Sequence, residues 1–301
     1  MNIGDKVVRK SYGKDIIFTI IDIYDDEEGK TKYLLKGLNI RIEADSAEED
    51  LELSSDGEKD KVFNKKVNTT LKKVLLARNG SASVFRYPDM EVERKDKKGA
   101  AFKKKELTFG RPGKILHIDG DPIYLEICLK TYKQLSIDAV GKVIAEKDQP
   151  SKILDLVKEL NPDIVVITGH DGMMKNTSDY MNLSNYRNSK YFVECVSLLR
   201  SYKSSYDELV IFAGACQSNY EALLDAGANF ASSPNRVLIH CLDPVFICEK
   251  VAYTNINDIV DIEDAIENTI TGIKGVGGLQ TRGKYREGYP KSQYYTNSIN
   301  V

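Results

Sequence analysis

Two stretches decide the fold: Ile164–His170, read IVVITGH, and Leu209–Cys216, read LVIFAGAC. Each is a short, continuous apolar run that closes on small residues and then on a chemically capable side chain. Runs of this length and β-branched content predict strands buried on both faces. Between them Ser189 to Tyr202 has helical spacing. The same alternation extends upstream. Ile115–Ile118 is followed by the turn Asp119-Gly120-Asp121-Pro122, a helix from Ile123 to Gln134 and a strand over Ala139–Ile144. Pro150-Ser151 then opens a helix with Ile153, Leu154, Leu156, Val157 and Leu160 on its apolar side. Downstream, Tyr220 to Ala226 reads as a helix and Arg236 to Cys241 as a fifth strand. Apolar strands alternating with amphipathic helices predict an α/β fold with a parallel sheet covered on both faces.

Functional groups in such a sheet collect in the crevice beyond the carboxyl ends of the strands. Two strands consecutive in sequence deliver His170 and Cys216 there, 216 − 170 = 46 residues apart with one helix between. A thiol needs a base or a cation to become a thiolate at neutral pH, and imidazole serves and can then protonate a leaving amine. Gly169, Gly172 and Ala213-Gly214-Ala215 let a substrate backbone approach, and amides there can donate to an oxyanion. A helix from about Ser218 would point its positive end at the sulfur. A lone strand-end cysteine is usually a small buried hydrophobe; the pairing with His170 is what favours catalysis. His117 reads as core, and His240 is the competitor for the base. Cys128, Cys195 and Cys248 sit on apolar faces, with Cys241 beside His240. Asp119 and Asp121 would orient His170 or recognise a basic substrate side chain. A receiver-like or phosphoryl-transfer reading with Mg²⁺ on Asp119 lacks the supporting residues. Gly275-Val276-Gly277-Gly278 reads as a loop, not a phosphate cradle.

The rest of the chain frames this unit. It has 301 residues, with 43 Lys+Arg against 45 Asp+Glu, and that near balance argues against a polybasic nucleic-acid binder. No apolar run is long enough to span a bilayer, and the first residues lack a signal-peptide core. Five cysteines without a CxxC pair argue against a disulfide framework or zinc knuckle, and point to a reducing cytoplasm. Lys6–Lys10, Ile16–Ile23, Lys32–Leu38 and Asn39–Glu43 read as strands of a small SH3-like β-barrel, residues 1–55, devoid of His and Cys. Residues 44–60 carry eight acids against Lys59 and read as linker. Lys61 to Arg78 is an amphipathic helix within a connecting stretch, 56–110. Its Arg94–Lys105 segment holds seven bases against Asp96, and the stretch offers self-cleavage points at Arg86 or Arg94. The α/β unit occupies 111–301.

An apolar strand ending in His-x-Gly, then one ending in Ala-Cys, resembles the caspase/clostripain clan of cysteine peptidases. Ile164–Gly172, Tyr186–Tyr191, Leu209–Ser218, Gly227–Pro234 and Arg236–Pro244 are similar to the YabG sporulation peptidase family, as is Gly4–Tyr12. The resemblance covers the whole chain. It implies a caspase/clostripain-like sporulation endopeptidase of the mother-cell cytoplasm, in contact with the spore coat, that cleaves coat and related proteins after Arg or Lys. It implies Cys216 as nucleophile and His170 as base, with no cofactor and no metal. The amides of Cys216 and of Gly169 or Gly172 would form the oxyanion hole, and Asp119, Asp121, Asp171, Asp179 and Ser232 would meet substrate. Protein substrates are the expected partners, not membranes or nucleic acid; self-association stays open. One departure is Asp171, which stands where the clan has glycine directly after histidine. The alternative is an inactive α/β scaffold that docks spore proteins through its N-terminal unit.

Overall fold

Alternating apolar residues at the N-terminus build a five-stranded antiparallel sheet. The computed structural model describes residues 1–54, 58–81, 108–175 and 177–292. Its first strands are β1 (Lys6–Arg9), β2 (Ile17–Asp25), β3 (Thr31–Gly37), β4 (Glu43–Ser46) and β5 (Leu51–Leu53), in the order β4-β3-β2-β1-β5. Val7, Phe18, Ile20, Tyr33, Leu35 and Leu51 form its own small core. The sheet stays open, because β4 and β5 are its two edges, and the expected barrel closure is not seen. The acidic stretch expected as linker instead supplies β4 and β5, its carboxylates paired by bases of β1 and the turn after it. Asp50 takes Arg9 at 3.0 Å and Glu52 takes Lys14 at 2.7 Å. Asn39–Ile42, expected as a strand, leaves the sheet, and its Ile40 bridges to His240 of the α/β unit.

Helix α1 (Glu58–Ser81) lays Val67, Leu71, Val74 and Leu75 against the α/β unit, not on the N-terminal sheet. Arg78 fixes its end, donating to the Leu135 carbonyl at 2.8 Å and stacking 4.0 Å over the Tyr253 ring. Arg86 and Arg94 lie outside the described residues. A short strand β6 (Phe109–Arg111) enters the α/β unit and pairs with the last strand, β13 (Arg286–Gly288).

The central sheet is built from β7 (Ile115–Asp119), β8 (Ala139–Val143), β9 (Ile164–Thr168), β10 (Val210–Ala213), β11 (Phe230–Ser232) and β12 (Val276–Gly278). Its order is β12-β11-β10-β9-β7-β8, parallel throughout except for β12. Period-two alternation divides the core. Ile164, Val166, Val210 and Phe212 face α1, α2 (Pro122–Gln134), α6 (Asp243–Tyr253) and α7 (Ile262–Glu267). Val165, Ile167, Ile211 and Ala213 face α3 (Gln149–Leu160), α4 (Ser189–Tyr202) and α5 (Tyr220–Asp225). Truncating one of these fully buried Leu or Ile side chains to Ala would cost about 2–5 kcal/mol.

Two strand assignments shift. The fifth parallel strand is Phe230–Ser232, whereas Arg236–Cys241, expected as that strand, is an irregular run buried only from Ile239 on, because its backbone partners are the Cys216 loop and residues 39–40. Gly275–Gly278 contributes edge strand β12. After β8 at one edge, the chain recrosses β7 to form β9. That reversal makes the carboxyl ends of β7 and β9 the switch-point crevice where ligands of open α/β sheets bind.

Candidate active site

The switch point holds Asp119 at the end of β7, Asp121 just beyond it and His170 after β9. His170 Nε2 lies 2.8 Å from Asp121 Oδ2, and its backbone N–H donates to Glu146 Oε1 at 2.6 Å. The ring is 21% exposed. Burial pushes its pKa down, but the Asp121 hydrogen bond and charge outweigh this, and the net shift is upward. Asp121 is held down to about 2: burial opposes its charge, and His170 with Lys36 overcomes that. Asp121 also caps α2 through the Ile123 amide at 2.9 Å, so the helix start fixes the carboxylate that orients the imidazole.

Cys216 follows β10, whose register sets Ala213 beside Ile167 of β9. The two loops therefore leave the same sheet edge side by side. Gly214, at φ 105°, starts the turn; a side chain there would press on Leu223, Ser218 and Ser232. Gln217 completes it in the left-handed region at φ 55°. The thiol is 1% exposed and receives the Ile239 N–H at 3.3 Å. Burial pushes its pKa up to about 11, with the Ile239 amide opposing. It does not hydrogen-bond His170. Tyr124 packs beside His170, the ring centres 5.9 Å apart. The expected helix dipole is slight: α5 has six residues, and Asn219 already caps its Ala222 amide at 3.1 Å.

Asp171, the residue that departs from the clan pattern, ties the two loops together. Its carboxylate accepts from Ser218 Oγ at 2.8 Å, the Asn188 amide at 2.8 Å, the Gly172 amide at 2.9 Å and Ser189 Oγ. Ser218 Oγ in turn accepts from the Ala215 amide at 2.8 Å, next to Cys216. Asp171 is thus inward-facing, and Gly172 N–H is already taken. Ser232 is buried in β11, and Asp179 is exposed, capping the Met181 amide at 3.0 Å. A groove of about 470 Å³ is lined by Met173, Tyr180, Met181, Gln217, Asn235 and Arg236.

The competitor His240 is 3% exposed, accepts the Leu242 amide on Nδ1 at 2.9 Å, and is driven by burial to a pKa of about 3, which makes it a neutral packing residue. His117 is buried on Thr168 Oγ1 at 2.9 Å. Sequence reading missed Tyr124, Glu146, Lys36 and Arg41. Glu146 follows β8 at the same edge, and that strand end was the available signal. Lys36 and Arg41 come from the N-terminal unit: Lys36 pairs with Asp121, and Arg41, fully buried, pairs with Asp119. Burial works against Asp119, but Arg41 and His117 hold its pKa well below the usual carboxylate range. Glu43, Asp121 and His170 bring one ligand atom each within 4.8 Å of the others, and the Lys36 ammonium already neutralises Asp121 there.

A family profile for YabG peptidase U57 matches residues 2–290. The chain belongs to the YabG peptidase U57 family. The match takes in the N-terminal sheet as well as the α/β unit. The chain is 41% identical over 298 residues to the sporulation-specific protease YabG of Bacillus subtilis (strain 168), covering 96% of this chain and 97% of that one. No solved structure matches it. Among the described residues of this YabG family member, no helix is long and apolar enough to cross a membrane.

Proposed function

We propose that the protein is a cysteine endopeptidase of sporulation with Cys216 as nucleophile and His170 as general base. The observation that carries this is the register of β9 and β10, from which the two loops leave one sheet edge side by side, with His170 oriented by Asp121. In the working cycle His170 takes the Cys216 proton, and the thiolate adds to the substrate carbonyl carbon. The Cys216 and Gly169 amides are assigned to the oxyanion, since Gly172 N–H serves Asp171. His170 returns the proton to the amine as the C–N bond breaks, leaving a thioester. It then deprotonates water, and hydroxide releases the acid and the thiol. Neither a metal nor a cofactor enters these steps. The strand order, with its switch point between β7 and β9, supports a caspase/clostripain-like fold.

Cleavage after Arg or Lys is supported by Asp119 at the crevice, and self-cleavage at Arg86 or Arg94 belongs to the same specificity. Coat and related spore proteins in the mother-cell cytoplasm are the substrates this reading assigns. The test is digestion of an arginine- and lysine-rich protein by wild type, Cys216→Ala and His170→Ala. Wild type alone should cut, with new carboxyl ends on basic residues. Equal cutting by Cys216→Ala would sink the assignment.

A further inference from the structure

We infer that Arg41 occupies the primary specificity pocket of its own chain, so that the Gly37–Ile42 segment is an internal, substrate-like inhibitor that must leave before a protein substrate enters. This rests on the reading of Cys216 as nucleophile.

The pocket belongs to the α/β unit. Asp119 is fixed there without help from the N-terminal sheet, its carboxylate accepting the Asp121 amide and Thr168 Oγ1, both at 2.9 Å. Into this ready-made seat Arg41 puts a fully buried guanidinium that pairs with Asp119, donates to the Cys241 carbonyl at 3.2 Å and lies 5.4 Å from the Tyr124 ring centre. A buried cation is costly unless its partners are placed in advance. The ligand class such a seat takes is an arginyl side chain.

The backbone agrees. The Asn39 carbonyl accepts the Cys241 amide at 3.0 Å, and Ile40 forms an antiparallel bridge with His240. Residues 39–40 thus add to the cleft wall as an extended peptide does in strand-addition recognition. The Arg41 backbone is near enough to the Cys216 sulfur to help lower its pKa. A side chain in an acidic seat and preceding residues on the cleft wall are contacts that a substrate cut after arginine needs.

Beyond Arg41 the chain ceases to resemble a substrate. The Ile42 amide turns back to the Ile40 carbonyl at 2.8 Å, and the Gly37 amide takes the Ile42 carbonyl at 2.8 Å. Tyr124 Oη also reaches the Ile40 carbonyl, at 2.7 Å. This bend carries the chain straight back into β4 and withholds the Arg41–Ile42 bond from extended presentation. Lys36, in β3 just before the segment, holds the Asp121 carboxylate that orients His170.

The test uses the full chain and two peptidyl acyloxymethyl ketones, one carrying arginine and one norleucine beside the reactive carbon, with peptide mapping of the adduct. In alkylation the Cys216 sulfur bonds the methylene carbon and the acyloxy group leaves as carboxylate. Arg41→Ala should be labelled by the arginyl probe at least about tenfold faster than wild type, as expected when an internal ligand fills a site most of the time. Gly37→Ala should do the same with Arg41 and Asp119 intact, because its Cβ would meet the Ile40 carbonyl oxygen at 2.3 Å and open the turn. Circular dichroism identifies any variant that has unfolded. In Arg41→Ala/Asp119→Asn the preference for arginyl over norleucyl should fall at least about tenfold. Unchanged or slower arginyl labelling in both folded single variants overturns the inference while Cys216 stands as nucleophile. Absence of Cys216 labelling by either probe in every variant overturns the cysteine reading beneath it.

Discussion

His170 and Cys216 leave neighbouring strands, yet their surroundings differ. The imidazole is 21% exposed, hydrogen-bonded to a carboxylate and shifted toward its charged form. The sulfur is 1% exposed, bonded to the backbone of Ile239 and shifted toward its neutral form, with a pKa of about 11. One half of the site is assembled and the other is shut. The difference comes from what meets each: solvent reaches His170, whereas the Ile239 backbone closes on the thiol. Control of such a site belongs on the sulfur side, because a buried thiol held in its neutral form is a poor nucleophile.

The largest way to break this comparison is removal of the sulfur. Cys216→Ala should lower kcat/KM by about four orders of magnitude, with His170→Ala close to it and the double variant no worse, as read by peptide cleavage. Next comes the tie between the halves. Asp171→Ala strands two serine hydroxyls and two amides and should cost about 2–3 kcal/mol, lowering the thermal midpoint by roughly 3–5 °C. On the His170 side alone, Asp121→Asn should reduce kcat about 10- to 100-fold through misorientation, with KM little changed. It should also remove a stability term. The raised His170 pKa stabilises the fold below the free histidine value of 6.5, and that contribution is lost as pH rises through the folded value. Urea titration of the variant should show a weaker loss across this window.

The smallest effect on activity sharpens the comparison by separating site from scaffold. Glu249, away from both loops, is pushed by burial up to about 7 from 4.5, with Arg78 at 3.6 Å opposing. A carboxyl with a raised folded pKa contributes stability below its free value and loses it as pH rises through the folded one. Glu249→Gln should therefore remove a loss on the order of 1–2 kcal/mol between pH 4.5 and 7, measured by chemical denaturation, and leave the pH profile of activity unchanged.

The parallel sheet was legible because Ile164–Ile167 and Leu209–Phe212 are apolar on both faces, and only a two-sided cover tolerates that. His170 and Cys216 were legible because strand ends define a crevice. The three-residue strand Phe230–Ser232 was hidden by its length, and Arg236–Cys241 had a strand's composition but pairs with loops. Arg41 was illegible for a stronger reason. In sequence it is one of many surface-type cations in a unit without His or Cys, and its role appears only once Asp119, 78 residues away, is seen to face it. Asp171 read as a substrate contact because an acid near an edge can point either way; four inward donors decide its direction.

The most direct measurement is identification of the residue alkylated by a peptidyl electrophile in wild type and in His170→Ala, with rates. The account predicts a single adduct on Cys216 that forms at least about a hundredfold more slowly without the imidazole. An adduct on another residue, or a Cys216 rate indifferent to His170, would contradict it.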